Sequence, residues 1–130
     1  PQSMQKKPTY INVVTEVISY FNKKITLLKA NGVEEIIIDP GFGFGKTLAH
    51  NYQLLNALDQ FNQFELPVLI GTSRKSMIYK LLDTSPKEAL NGTMVTNTIA
   101  LQKGASILRV HDVKEAMECI KITTFAKNNH

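Results

Sequence analysis

Three short apolar runs, all losing their hydrophobicity in the same direction, constrain this chain more than any other feature. They are "EEIIID" (34–39), "LPVLIGTS" (66–73) and "SILRVHD" (106–112). Runs that stay apolar without alternation belong to parallel strands covered on both faces. Helical stretches separate them. "YINVVTEVISYFNKKITLLKANG" places Ile11, Val14, Val17, Ile18, Phe21, Ile25 and Leu28 at helical spacing, and Asn31-Gly32 ends it. "AHNYQLLNALDQF" has Leu54, Leu55 and Leu58 as its buried stripe, and "RKSMIYKLL" forms a short helix. Ser85-Pro86 opens a longer helix, with proline tolerated in the first turn. Asp112 caps the last helix, and Glu115 completes a capping-box pattern. The predicted order is α-β-α-β-αα-β-α. No linker interrupts it, so residues 1–130 form one unit. It fits an open doubly wound α/β sheet or a slice of a (β/α)₈ barrel.

In both architectures ligands bind at the carboxyl ends of the strands. Those ends carry Asp39, then Gly71-Thr72-Ser73-Arg74-Lys75, then Arg109-Val110-His111-Asp112. One acid, two basic strings and several hydroxyls thus meet at one rim. Arg109 and His111 are two apart on a strand and point the same way. An arginine in an apolar strand is costly unless paired or liganded, and the structural alternative is an ion pair with Asp39 or Asp112. Arg74 and Lys75 open a helix, where cations oppose the dipole. An anionic or carbonyl ligand explains them, as does simple solvation. Ser73 is a candidate N-cap or a ligand-binding hydroxyl. Asp39 either braces the Pro-Gly turn or accepts from a donor-rich heterocycle. Asp112 is assigned to capping, and His50, His130 and Cys119 to structural or surface roles.

The loop after the first strand, "DPGFGFGKT", resembles a phosphate cradle without being one. Gly45-Lys46-Thr47 fits the end of a P-loop, yet Pro40 stands at its opening and has no N–H. Gly41 and Gly43 begin a dinucleotide fingerprint that fails at Lys46. Phe42 and Phe44 between glycines point to a flat organic ligand; the plainer reading is that they close the core.

Composition narrows the partners. With 43% hydrophobic and 20% charged residues the chain is globular. Its net charge of +4 comes from scattered lysines, which suits small anionic substrates and not nucleic acid. A single cysteine permits no internal disulfide, as in a reducing compartment. "PQSMQKKPTY" has no apolar signal region, and no run is long enough to span a membrane. The expected location is the cytoplasm. That N-terminus reads as the middle of a loop, so the chain is expected to be a fragment. No cluster has metal-ligand spacing.

"IIIDPGFGFGKT", "PVLIGTSRKSMI", "NGTMVTNTIALQKGASILRVHDV" and the leading "PQSMQ" together closely resemble the dihydropteroate synthase family of folate biosynthesis. The resemblance covers essentially the whole chain. It implies a (β/α)₈ barrel of which this chain is the C-terminal part, the last three βα units, with the N-terminal half absent. It implies joining of p-aminobenzoate to 6-hydroxymethyl-7,8-dihydropterin diphosphate, with release of diphosphate. Asp39 would bind the pterin's amino and N–H donors, and Lys75 its carbonyl side. Arg109 would lie against the pterin and, with His111, hold the diphosphate. Ser73 and Arg74 would sit near p-aminobenzoate, with Phe44 and Gly45 lining its entry, and Gly71 within the substrate wall. Mg²⁺ is expected with the diphosphate, its ligands outside this chain. Sulfonamide binding at the aminobenzoate position and a homodimer, or a missing N-terminal half as partner, are expected too. Two alternatives are a methyltetrahydrofolate methyltransferase-type pterin barrel, which the Ser-Arg-Lys string opposes, and a non-catalytic pterin- or anion-binding half-barrel acting with a partner chain.

Overall fold

The computed structural model describes residues 12–130. Helix α1, Val13–Ala30, starts at Asn12, whose side chain accepts from the Thr15 amide, and ends at Asn31. Gly32 follows at φ +83, the left-handed geometry that closes a helix. Val13, Val17 and Ile25 are buried, and Phe21 meets Phe61 and Phe64 edge-on at 5.8 and 6.1 Å. Ile11, from the predicted stripe, lies outside the described residues. Helix α2, Leu48–Asn56, begins in a reciprocal cap between Thr47 and His50. The predicted continuation to Phe61 instead tightens into a 3₁₀ helix, Leu58–Phe64, closed by Glu65 in the left-handed region. Its stripe is as expected: Leu54, Leu55, Leu58 and Phe61 are all buried.

Strand β1, Leu69–Ile70, and strand β2, Ile107–Leu108, pair in parallel, Leu69 opposite Ile107. The first predicted strand contributes one parallel bridge, Ile38 to Val68, in which the Leu69 amide donates to the Ile38 carbonyl at 2.8 Å. The protein is therefore α/β with three parallel segments, β1 in the middle, and far shorter ladders than the apolar runs promise. The reason is pairing. Among the described residues nothing pairs with the outer edge of 34–38, and Ile37 is 57% exposed beside buried Ile38.

Helix α3 is only Ser76–Tyr79. Pro86–Glu88 is a 3₁₀ turn, and α4 runs Leu90–Gln102. Gly92 lets α3 and α4 touch: a Cβ there would stand 2.4 Å from Ile78 Cγ2. The buried face of α4 is largely polar, made of Gly92, Thr93, Thr96, Asn97 and Ala100. Helix α5, Val113–Asn128, packs on α4 and buries Ala116, leaving Val113, Met117, Ile122 and Phe125 exposed. Its N-cap residue Asp112 makes no side-chain capping bond, so the predicted capping box does not form.

Candidate substrate site at the strand ends

The glycine loop is held by its own lysine. Lys46 Nζ donates to the carbonyls of Gly41 (2.7 Å) and Phe44 (3.3 Å). Gly41, Gly43 and Gly45 all have positive φ, which allows these reversals. The Gly43 amide donates to Asn51 Oδ1 at 2.8 Å, and the Gly41 amide to Asp39 Oδ1 at 2.9 Å. These amides and this ammonium are turned inward on the loop, not outward around a phosphate. Its two phenylalanines divide: Phe42 is buried in the core and Phe44 is 61% exposed.

Beyond β1, Thr72 to Lys75 form a turn closed by the Lys75 amide on the Thr72 carbonyl, 3.0 Å. Arg74 occupies its third position at φ +55. The turn projects three side chains in three directions. Ser73 Oγ lies 2.7 Å from His111 Nδ1 and accepts from the His111 amide at 3.3 Å. Arg74 grips Asp112 with two bonds, 3.2 and 2.7 Å. Lys75 Nζ reaches back to the Phe42 carbonyl at 2.7 Å and lies 5.3 Å from the Phe44 ring centroid. Three expectations are corrected here. Ser73 caps no helix, because the N-cap position belongs to Lys75. Asp112 is an ion-pair partner and not a cap, since Arg74 occupies both of its oxygens. The conflict of Arg74 and Lys75 with a helix dipole does not arise, because α3 has four residues and too few aligned peptides.

Arg109 pairs with neither Asp39 nor Asp112. Its guanidinium lies across Gly71, where a Cβ would stand 3.1 Å from one terminal nitrogen and 3.2 Å from Nε. A cavity of about 230 Å³ is lined by Gly71, Ser73, Lys75, Arg109, Val110 and His111. Arg109 and His111 line this cavity together, with Val110 between them. Burial, then Arg109, pushes the Lys75 ammonium below the usual lysine range; Asp39 acts against this, and Lys46 adds to it. Burial likewise lowers Lys46, opposed by Asp39. Asp39 itself lines a different pocket, of about 430 Å³, with Lys46 and the α1 residues Glu16, Val17, Tyr20 and Phe21. It reaches the cationic cavity through its field on Lys75, not through its wall. Phe44 and Arg74 line a third pocket with Lys75 and Tyr79, and Lys75 lines the first as well. Gly45 is buried and lines none of the three.

The arrangement can hold an anion between Lys75, Arg109 and His111, with a flat ring beside Phe44. Among the described residues no three His, Cys, Asp or Glu side chains come together to hold a metal. Sequence reasoning passed over the hydroxyl row beneath the rim: Thr72 Oγ1 meets Thr96 Oγ1 at 2.9 Å, and the Arg74 amide donates to Thr93 Oγ1 at 3.1 Å. The signal was present in "NGTMVTNT", where Thr93, Thr96 and Asn97 fall on one helical face.

Known proteins resemble this chain in sequence and in fold. Dihydropteroate synthase of Escherichia coli K12 is 47% identical over 134 residues, covering 99% of this chain and 48% of that protein. The Haemophilus influenzae dihydropteroate synthase is 45% identical, with 94% and 45% covered. Among solved structures, the Yersinia pestis dihydropteroate synthase with a sulfonamide drug complex superposes at a TM-score of 0.94 and 43% identity, covering 98% of this chain and 47% of that one. The Xanthomonas albilineans enzyme in complex with 7,8-dihydropteroate gives 0.89 and 36%, with 92% and 47% covered. The chain spans about half the length of the relatives it matches. The profile of pterin binding enzymes matches residues 1–111, and with that match over most of its length the chain belongs to the pterin-binding enzyme family.

Proposed function

We propose that the protein carrying this chain is a dihydropteroate synthase, which joins p-aminobenzoate to 6-hydroxymethyl-7,8-dihydropterin diphosphate and releases diphosphate. The observation that carries this reading is the cavity of Lys75, Arg109, His111 and Ser73 at the ends of two paired parallel strands. In this reading Arg109 and His111 take the leaving diphosphate, and Lys75 holds the pterin's carbonyl side. Asp39 binds the pterin's donors and stabilises the positive charge that develops at its methylene carbon. The aniline nitrogen then attacks. Phe44, Ser73 and Arg74 form the aminobenzoate wall, where a sulfonamide would also bind. Gly71 leaves room for the Arg109 guanidinium. Mg²⁺ would arrive with the diphosphate, its ligands lying outside this chain.

The proposed architecture is the last three βα units of a (β/α)₈ barrel, supported by three parallel segments that carry site residues at the same ends. An N-terminal half would cover the edge at Ile37 that no described residue pairs with, and a second copy the exposed face of α5. The cytoplasm is the proposed location; no described helix is long and apolar enough to cross a membrane. A second reading, supported by the cationic cavity of Lys75 and Arg109, is a pterin- or anion-binding half-barrel that works through a partner. Turnover of both substrates by the purified chain, alone and mixed with an N-terminal half of a relative, separates the two. Dihydropteroate formation in the mixture supports the synthase. Diphosphate binding without turnover in any mixture supports the binding module.

A further inference from the structure

Arg74 sits at the third position of the 72–75 turn with φ +55, where glycine or asparagine is the usual occupant. For an arginine this conformation is costly, so the surroundings must impose it. Two contacts do so. Asp112 takes the guanidinium, and Thr93 Oγ1 takes the backbone amide. Thr93 is fully buried, and its own hydroxyl proton goes to the Ala89 carbonyl at 2.6 Å. Its lone pair is therefore aimed at Arg74. One turn further along α4, Thr96 donates to the Thr93 carbonyl at 3.0 Å and meets Thr72, the first residue of the same turn. Asn97 Oδ1 stands 3.4 Å from that Thr72 hydroxyl. The turn is thus gripped at its first and third residues by one face of one helix.

We propose that Thr93 is a positioning residue for the synthase site: through the Arg74 amide it fixes the strained turn that sends Ser73 to His111, Arg74 to Asp112 and Lys75 to the cavity wall, with Thr96 and Thr72 as its support. This rests on the synthase reading for its consequence in catalysis but not for its geometry. A buried hydroxyl that only filled space would be replaceable by an isosteric methyl group. A hydroxyl that holds a strained amide is replaceable only by another hydroxyl.

The test uses ¹⁵N-labelled protein carrying this chain, with Thr93→Val, Thr93→Ser and, as a control on the same helix, Thr98→Val, whose hydroxyl serves only helix and Cys119 contacts. Hydrogen exchange is followed at the Arg74 amide and Nε–H, with Leu54 and Phe61 amides as reporters of the core. Thr93→Val is expected to speed exchange at Arg74 at least tenfold with the core unchanged, and to raise the Michaelis constant for p-aminobenzoate several-fold. Thr93→Ser should restore both, and Thr98→Val should leave Arg74 protected. Unchanged Arg74 exchange in Thr93→Val, or loss shared equally by the core, overturns the proposal. If Thr93→Val does not fold, Thr96→Val decides: loosening confined to residues 72–75 supports the proposal, and none overturns it. Absence of turnover in the unsubstituted protein would sink the synthase reading while the exchange data still decide the role of Thr93.

Discussion

Burial and neighbouring cations lower the Lys75 ammonium below the ordinary 10.5, which places a conflict between stability and binding on one residue. Between its lowered value in the fold and 10.5 in the unfolded chain, the unfolded state holds more protons, so stability rises with pH across that window. Lys75→Gln should flatten this rise, read from urea melts at a series of pH values. The same substitution should leave the fold intact and weaken binding of a pterin analogue by about 1.5–3 kcal/mol, the worth of a charge-assisted hydrogen bond. Unchanged affinity by calorimetry would remove Lys75 from the site. Arg74 carries a second conflict, between its backbone and its ion pair. Arg74→Ala and Arg74→Gly both lose the Asp112 contact, so their difference isolates the backbone. The glycine variant should be more stable by about 1–2 kcal/mol, the left-handed cost of a Cβ. Equal melting temperatures would mean that the turn relaxes once the side chain is gone.

Elements were legible where packing and local pattern agree. The stripe of Leu54, Leu55 and Leu58 turned inward as its spacing requires, and Gly32 took the positive φ of a glycine that ends a helix. The strand ends were legible too, because Ser73, Lys75, Arg109 and His111 leave apolar runs in one direction and meet in one cavity. The strands themselves were overestimated, since "EEIIID" reports apolarity but not a pairing partner, and only Ile38 found one. Asp112 was misread because a capping box and an ion-pair acceptor share one residue type; only the fold brings Arg74 across to it. Helix α4 hid its buried face in glycine and threonine, which no hydrophobic periodicity marks. Two glycines make this scale testable. Gly92→Ala would drive a Cβ into Ile78 and Leu82, inside packed helices, and should cost about 1–3 kcal/mol of stability. Gly71→Ala meets only the mobile end of Arg109, so the melting temperature should barely move while diphosphate affinity falls. A large stability loss at Gly71 would show that Arg109 is fixed by more than its contact with that backbone.

At the scale of the whole molecule, the apolar surface is distributed as if it were meant to be covered. Ile37 is exposed on an edge that no described residue pairs with, and α5 turns Val113, Met117, Ile122 and Phe125 outward, the last two at 70% each. Single exposed apolar residues are ordinary, but several along one helix mark a contact face. An open edge of backbone donors and acceptors adds a second adhesive surface. The two differ in what covers them. An edge is satisfied by another strand, and a helix face by another apolar face, including its own copy related by a two-fold axis. Ile122→Lys and Phe125→Glu lie on the exposed side of α5, so they should change the thermal stability of the isolated chain by no more than about 0.5 kcal/mol each. They should nevertheless shift its sedimentation toward smaller species. If association persists unchanged in the double variant, the edge at Ile37 carries it. On the proposed synthase reading, adding the N-terminal half of a relative should then abolish association and allow turnover together. A chain that sediments as a monomer before any substitution, with all three parallel segments protected from exchange, would show that these faces need no partner.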